Sequence, residues 1–187
     1  MTTARPTPGQ TIGPFFGFAL PYVGDAQLVP PGRVDAVSLS GRVLDGSGAP
    51  VPDAVIELWQ PDADGAIVER PGSLHRDGWT FTGWGRCATD LAGQYRFTTL
   101  TPGAIDERAP FFALTVFARG LLDGLFTRAY LPGHAALDDD ALLAGLDADR
   151  RTTLIARAGD GGYQFDIHLQ GEAETVFLTY RAQPQAE

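Results

Sequence analysis

Short runs of alternating apolar and polar residues follow one another from Val37 to Tyr180, with the period of two that a half-buried strand requires. The run VSLSGRVL is followed by the turn-forming DGSGAPVPDA and then by VIELWQ, which together predict a hairpin-like unit. Further strands are predicted at Arg86–Thr89, Gln94–Leu100, Phe111–Ala118, Phe126–Leu131, Thr152–Ala156, Tyr163–Gln170 and Thr175–Tyr180. Short strands at this spacing predict an all-β fold, an antiparallel β-sandwich.

Two segments show which side of an element faces the core. In the strand Tyr163–Gln170 the aromatic and aliphatic residues occupy every second position, so one face is predicted to be core. The segment Leu137–Leu146 carries the one helical pattern, with acidic residues at its start and Gly145 near its end. We also expect Trp59, at the end of VIELWQ, to be buried.

Residues 1–35 have a different character from the rest of the chain. They are rich in Pro and Gly, show no sustained period, and contain the aromatic residues Phe15, Phe16, Phe18 and Tyr22. A disordered tail would be poorer in aromatic residues. We therefore predict an extended N-terminal arm that packs on its own domain or on a partner subunit, followed by a sandwich domain over residues 36–187.

Size and charge exclude several classes of protein. A chain of 187 residues suits one domain, and a net charge of -9 without a basic cluster argues against nucleic-acid binding. An anionic substrate would need local arginines. Cys87 is the only cysteine, no signal peptide is visible, and we expect a cytoplasmic protein.

Few residues have the spacing of a catalytic or metal site. The three histidines His75, His134 and His168 are dispersed, and the acidic residues Asp138, Asp139 and Asp140 are typical of a solvated helix start. Cys87 has no histidine nearby, and phosphate-loop, dinucleotide and serine-hydrolase motifs are absent. Trp59, Trp79 and Trp84 are candidates for the lining of an aromatic pocket.

An ordered set of segments resembles the intradiol ring-cleaving dioxygenases. Some members of that family consist of α and β subunits, and the opening TPGQTIGPFF is similar to the start of their α subunits. The other segments are LSGRVLDGSGAPVPDAVIELWQPDADG (39–65), GWGRCATDLAGQYRFTTLTPG (83–103), FALTVFARGL, ARGLLDGLFTRAYLPG (118–133), RRTTLIAR (150–157) and YQFDIHLQGEAETVF (163–177).

The resemblance implies an enzyme of homologous α and β subunits, each a β-sandwich, in which only the β subunit binds non-haem Fe(III), through two tyrosines and two histidines. It implies O2-dependent opening of protocatechuate, a dihydroxybenzoate, to 3-carboxy-cis,cis-muconate in aromatic catabolism through the β-ketoadipate pathway. In this chain the tyrosine positions fall near Ser73 and at Ile105, and the histidine positions fall on Phe111 and Ala113. A His-x-His pair on a strand would chelate a metal from one face, and these residues cannot.

The same resemblance implies that an α arm reaches the β active site, so Thr11, Gly13, Pro14 and Phe15 are candidates for the wall of the partner's substrate pocket. Arg128 in FTRAY is a candidate to pair across the interface with the substrate carboxylate or the anionic ring-opened product, although a structural surface salt bridge is its default role. Arg108 matches an arginine beside the iron site, and a structural ion pair is the favoured role.

Three hypotheses stay open at this point. The first is a non-catalytic subunit of an oligomeric dioxygenase, which works only with a homologous β partner. The second is a stand-alone module that binds aromatic acids without turnover, in a pocket lined by Phe111, Phe112 and the tryptophans. The third, an enzyme whose chemistry has moved to His75, His134 or Cys87, lacks a convergent acid, base and nucleophile.

Overall fold

A computed structural model describes residues 10–13, 15–70, 76–106 and 108–180, and these form a β-sandwich, as the sequence predicts. The strands are β1 (Ala36–Leu44), β2 (Val55–Trp59), β3 (Trp84–Ala88), β4 (Gln94–Leu100), β5 (Phe111–Phe117), β6 (Leu125–Tyr130), β7 (Arg157–Gly159), β8 (Gly162–Gln164) and β9 (Ile167–His168). Three short α-helices accompany them where the sequence predicts one: α1 (Phe16–Ala19), α2 (Ala141–Ala144) and α3 (Ala148–Thr152).

The strands divide into two sheets, here called sheet I and sheet II. Sheet I has the order β4-β1-β8-β7 with β9 also paired to β1, and sheet II has the order β3-β2-β5-β6. Sheet II is antiparallel throughout. In sheet I, β1 pairs with β8 and β9 in parallel, so the sandwich is not purely antiparallel.

The predicted hairpin between β1 and β2 is wrong, because the two strands lie in different sheets. A tight turn does form, in which the Asp45 side chain accepts the backbone N–H groups of Ser47 and Ala49. The chain is then redirected at Pro52, which has no N–H to donate, and at Asp53, whose φ of 67° lies in the left-handed region. It therefore enters sheet II instead of returning along β1.

The predicted strand Tyr163–Gln170 is split into β8 and β9, although its apolar face does point into the core. Side chains replace the ladder at the break: the Tyr95 hydroxyl donates to the Phe165 carbonyl, and the Arg42 N–H donates to the Asp166 carboxylate. A Cβ on Gly41 would lie 1.8 Å from the Phe165 carbonyl oxygen, so this crossing requires glycine.

Two other predicted strands are wrong. The segment Thr152–Ala156 begins as the end of α3 and makes a single bridge, between Ile155 and Tyr130. The segment Thr175–Tyr180 likewise makes one bridge, from Leu178 to Phe126. Both were apolar runs too short for periodicity to distinguish a strand from a packed loop.

The main core fills the space between the sheets, and Trp59 does not belong to it. Ile56 and Leu58 of β2 are fully buried, whereas Trp59 is 53% exposed. The alternation along VIELW is therefore correct, but the face that carries Glu57 and Trp59 is the outer one. The expectation that Trp59 is buried is wrong for this reason.

A smaller apolar cluster joins the end of β6 to α2, and it contains Ala109, Tyr130, Leu143, Leu154 and Val176. Asp140 begins α2 as its N-cap, since its carboxylate accepts the N–H groups of Leu142 and Leu143, and Gly145 ends the helix, as the sequence indicates. No helix in the described part of the chain is long and apolar enough to cross a membrane.

Part of the N-terminal segment is built into this chain's own sandwich. Leu28 and Val29 are buried, and the Leu28 N–H donates to the Thr98 carbonyl at the edge of β4. The Arg86 N–H donates to the Asp25 carbonyl, and the Arg86 guanidinium donates to the Leu20 carbonyl. Residues 20–29 therefore pass over sheet II towards the edge of sheet I.

Candidate functional site

Two of the positions that the resemblance assigns to iron ligands lie at one end of the outer face of sheet II. Phe111 and Ala113 occupy this face of β5, where they pair with Tyr130 and Arg128 of β6. Ile105 lies in the loop that precedes β5, and Ser73 lies outside the described residues. The three described positions are occupied by hydrocarbon side chains, which cannot coordinate a metal.

Ferric iron therefore does not fit this site. Among residues 10–13, 15–70, 76–106 and 108–180, no group of three or more His, Cys, Asp or Glu side chains is placed to hold a metal ion. Oxygen, nitrogen or sulfur donors are needed in such numbers for a stable ferric centre. Within the described part of the chain, His, Cys, Asp and Glu side chains thus do not replace the donors missing at Ile105, Phe111 and Ala113.

The side chain of Arg128 lies next to Phe111 and Ala113, the two positions that the resemblance assigns to histidine, and it is held there by a hydrogen bond. The Arg128 guanidinium carbon lies 4.2 Å from the centroid of the Phe111 ring. Its Nη1 donates to the Tyr130 hydroxyl at 3.0 Å, and that hydroxyl donates to Asp140 Oδ1 at 3.1 Å. Ala113, directly opposite Arg128 in the register, carries only a methyl group that leaves room for the arginine stem.

The protonation state of Tyr130 fixes the direction of this chain of hydrogen bonds. Burial raises the pKa of Tyr130 above its usual value, although the neighbouring Arg128 opposes that rise. The phenol is therefore protonated at neutral pH and donates to Asp140, while its lone pair accepts from Arg128. Asp140 Oδ1 also accepts two backbone N–H groups of α2, so this one oxygen links the Tyr130 hydroxyl to the start of the helix.

A cavity of about 460 Å³ opens beside this network and is lined by Arg108, Arg128, Asp106, Asp139, Asp140 and Leu142 among others. Arg108 is exposed, and its predicted structural ion pair is not formed with any described residue. Arg128 likewise has no ion pair within the described part of the chain. Both guanidinium groups border the cavity.

The arm residues lie far from this end of the sheet. The Gly120 N–H donates to Thr11 Oγ1 at 2.7 Å, and the Phe16 ring packs against Phe117 with centroids 5.5 Å apart. Since Ala113 and Phe117 are four residues apart on one strand, about 14 Å separates the two ends. Within one chain, Thr11 and Gly13 are not brought together with Arg128.

Phe15, the last of the predicted arm residues, is 79% exposed, and Pro14 lies outside the described residues. Phe18 on α1 is 81% exposed. Of these three aromatic residues, Phe16 packs against the sheet of its own chain, whereas Phe15 and Phe18 are exposed.

Exposed aromatic residues continue across the outer face of sheet II, and the sequence interpretation missed them. Trp59 lies beside Ala113 in the register, and Phe126 on β6 is 40% exposed. The Phe126 ring meets Tyr180 edge to face, with centroids 5.3 Å apart, and Tyr180 is 64% exposed. The alternation within VIELW and FTRAY would predict these exposed aromatic residues, but only if the side of β2 that carries Glu57 is taken as the outer face.

The predicted aromatic pocket does not form in the described residues. Phe112 points into the core and is fully buried, whereas its neighbour Phe111 points outward. Trp84 is buried beneath Arg86, whose guanidinium lies 5.1 Å from the ring centroid, and Trp79 is 80% exposed. The pocket expected from Phe111, Phe112 and the tryptophans is therefore wrong.

The remaining candidates for relocated chemistry do not converge. His134 accepts the Ala136 N–H at the start of a 3-10 turn, His168 lies on β9, and Cys87 lies on β3. Burial raises the pKa of the Cys87 thiol, which makes it a poor nucleophile at neutral pH. His75 lies outside the described residues.

Comparisons with known proteins agree with the fold. Residues 25–171 match the model of the Dioxygenase_C family, described as Dioxygenase, and the chain belongs to that family. It is 37% identical over 197 residues to the protocatechuate 3,4-dioxygenase alpha chain of Burkholderia cepacia, a match that covers 95% of this chain and 99% of the relative. The alpha chain of Pseudomonas putida is 34% identical, with 93% of this chain and 96% of the relative covered.

A beta chain is also similar. The protocatechuate 3,4-dioxygenase beta chain of Burkholderia cepacia is 33% identical over 157 residues, which cover 75% of this chain and 67% of the relative. Among solved structures, the dioxygenase domain of a carbohydrate-binding fusion protein from Streptomyces sp. SirexAA-E matches with a TM-score of 0.59 and 24% identity, covering 89% of this chain and 99% of that chain. The chain is thus a member of an oxidoreductase family with the fold of the intradiol dioxygenases.

Proposed function

We propose that this chain is the non-catalytic α subunit of a protocatechuate 3,4-dioxygenase, and that it supports intradiol cleavage at ferric iron held by a homologous β subunit. One observation carries the proposal: in a chain similar to alpha chains along nearly its whole length, the described ligand positions are hydrocarbon. The family uses non-haem Fe(III), so the iron of the assembly belongs to the partner. The proposed product of the assembled enzyme is 3-carboxy-cis,cis-muconate. Its proposed location is the cytoplasm, because a chain with the single cysteine Cys87 suits a reducing compartment.

The outer face of sheet II is the proposed contact surface for the β subunit. Trp59, Phe126 and Tyr180 leave aromatic area exposed there, and aromatic residues are enriched in the buried centres of subunit interfaces. Phe15 and Phe18 extend the apolar area along the arm. A monomeric protein gains nothing from exposing this many large rings on one side.

The arm residues Thr11, Gly13, Pro14 and Phe15 are proposed to form part of the wall of the partner's substrate pocket. Thr11 is tied to Gly120, beyond the Phe117 end of β5, and this end lies about 14 Å from Ala113, so the described arm residues do not cover the degenerate site. An arm that does not cover the degenerate site of its own chain, and in which Phe15 is exposed, suits contact with another subunit.

Arg128 is proposed to pair with the substrate carboxylate across the interface. Its guanidinium has no carboxylate partner among the described residues and borders an open cavity. A planar guanidinium binds a carboxylate through two parallel hydrogen bonds. In a chain of net charge -9, such a local cation is needed to attract an anionic substrate.

Reconstitution tests the proposed function. The chain is produced alone and together with a family member that retains both tyrosines and the His-x-His pair, and O2 uptake with protocatechuate is measured. We expect no activity from the chain alone and an iron-containing, active complex from the pair. A colourless, inactive complex, or oxygenase activity of the isolated chain, would contradict the proposal.

The cavity beside Arg108 and Arg128 is the one observation that favours the alternative, a stand-alone module that binds aromatic acids. Under that alternative the chain is a monomer that binds catechol-type acids tightly by itself. Sedimentation of the chain with and without the β subunit distinguishes the two functions. A complex with the β subunit supports the dioxygenase subunit, and a chain that stays monomeric supports the stand-alone module.

A further inference from the structure

The degenerate iron site is not simply emptied, because its replaced positions hold an arginine in place. Phe111 stands where a histidine ligand is expected and lies under the Arg128 guanidinium at 4.2 Å. Ala113 stands at the other histidine position, directly opposite Arg128, and its methyl group leaves room for the side chain to fold towards Phe111. Phe111 and Ala113 therefore both favour the same position of the Arg128 side chain.

Tyr130 completes the support from the side. Its ring is fully buried against Phe111, with centroids 5.3 Å apart, and its hydroxyl accepts one N–H of Arg128. The hydroxyl in turn donates to Asp140, which is 7% exposed and fixed at the start of α2. A rigid helix cap thus sets the position of the phenol, and the phenol sets the position of the guanidinium.

This support leaves most of the guanidinium available. A guanidinium carries five N–H groups, and Tyr130 is the one acceptor that Arg128 meets among the described residues. One planar face is taken by the Phe111 ring. The remaining N–H groups are free to form a bidentate pair with a carboxylate, at no further cost in side-chain ordering.

We propose that Phe111, Tyr130 and Asp140 are positioning residues that hold Arg128 ready for the substrate carboxylate, so that the former metal site determines specificity for a carboxylated catechol. This rests on the proposed function, because Arg128 acts at the partner's site. The chemistry that is recognised is an aromatic carboxylate beside a dihydroxy ring, and catechol, which has the ring without the carboxylate, is the natural comparison.

The test compares variants in the complex with the β subunit, with KM and kcat measured for protocatechuate and for catechol. Arg128→Gln is expected to raise the KM for protocatechuate about 10- to 100-fold, the range for a hydrogen bond to a charged group. Tyr130→Phe, Phe111→Leu and Asp140→Asn are expected to raise it by about 3- to 10-fold; the amide oxygen introduced by Asp140→Asn keeps the helix cap but is a weaker acceptor for the Tyr130 hydroxyl than the carboxylate. The KM for catechol and both kcat values are expected to change by less than about twofold.

Tyr95→Phe is the matched control, because it removes a buried hydroxyl that donates to a backbone carbonyl in sheet I, away from this site. It is expected to leave the ratio of the two KM values unchanged. Thermal unfolding of each variant complex identifies any variant that is misfolded. Because the three positioning variants are expected to change the KM ratio in the same direction, the test does not depend on any one of them.

The outcomes separate the inference from the proposed function. If Arg128→Gln changes the ratio of KM values and the three positioning variants do not, the positioning network is overturned while the subunit function stands. If Arg128→Gln itself leaves the ratio unchanged in an active complex, the inference is overturned as a whole. If the complex of unaltered chains holds no iron, the proposed function fails first.

Discussion

Arg128 and Phe111 face each other across neighbouring strands, with the guanidinium carbon 4.2 Å from the centroid of the ring. Phe111 occupies a position where an iron-binding relative is expected to carry histidine. A cation–π contact of this kind contributes about 0.5–2 kcal/mol, depending on how far the pair is removed from water. The residue at the expected ligand position is therefore the residue that orders the arginine.

Restoring the histidine pair tests the placement of β5. In the double variant Phe111→His, Ala113→His, both imidazoles lie on the outer face of one strand, at the i and i+2 spacing that chelates a metal. We expect Zn²⁺ binding by calorimetry at least about tenfold tighter than in Phe111→His alone. Equal affinities of the single and double variants would contradict the strand register.

Trp59 is expected to be an energetic centre of the proposed subunit contact. Trp59→Ala should weaken the complex by about 2 kcal/mol or more, a loss typical of an aromatic residue at the middle of an interface, with little effect on the stability of the isolated chain. Trp79→Ala is the matched control, since Trp79 is 80% exposed but does not lie on sheet II. Dissociation constants that rise equally in both variants, or in neither, would place the contact elsewhere.

Thr11 is expected to fix the start of the arm through its hydroxyl. Thr11→Ala removes the acceptor of the Gly120 N–H and should speed hydrogen exchange at that amide, at a cost below about 1 kcal/mol because the side chain is exposed. Thr11→Ser retains the oxygen and should behave like the unaltered chain. In the complex we expect Thr11→Ala to lower kcat/KM and Thr11→Ser to leave it unchanged, and equal behaviour of the two variants would exclude a role for the hydroxyl.

The alkaline stability of this chain is simple to interpret, because all 14 basic side chains are arginine and none is lysine. Burial raises the pKa of Cys87, Tyr130 and, most strongly, Tyr95 in the folded state. The folded state then holds these protons more tightly than the unfolded state, so stability falls as the pH rises. The free energy of unfolding should be level up to about pH 8.5 and decline above it, first through Cys87 and then, above about pH 10, through the tyrosines.

Chemical denaturation of Cys87→Ala and Tyr95→Phe between pH 8 and 11.5 checks this assignment. Each variant lacks one proton that the folded state retains, so each should show a shallower decline over its own part of the range. A free energy of unfolding that rises with pH over this range would show that the buried groups ionise more easily in the folded protein.

The sequence predicted the sandwich because alternation with period two is a local property, and β4, β5 and β6 lie within one residue of their predicted bounds. It did not predict that β1 and β2 separate into two sheets, since that depends on the chain direction set at Pro52 and Asp53. Likewise, alternation places Glu57 and Trp59 on the same face but does not say which face is outer. Pairing between distant strands decides that.

The assignment of degenerate ligand positions rests on the resemblance and stays a prediction, although the absence of donor groups at those positions is visible in the sequence itself. The support of Arg128 was not predicted, because it joins Phe111, Tyr130 and Asp140, which come from three separate elements. Each of these residues has an ordinary role when taken alone. Their relation appears only when the register of β5 with β6 and the helix cap of α2 are known.

The location of iron in the assembled complex tests the central claim most directly. The complex with a β subunit is purified, its subunits are separated by native mass spectrometry, and the mass of each chain is measured with and without bound metal. We expect ferric iron on the β subunit, in amounts equal to that chain, and none on this chain. Iron that stays with this chain after separation would contradict the account.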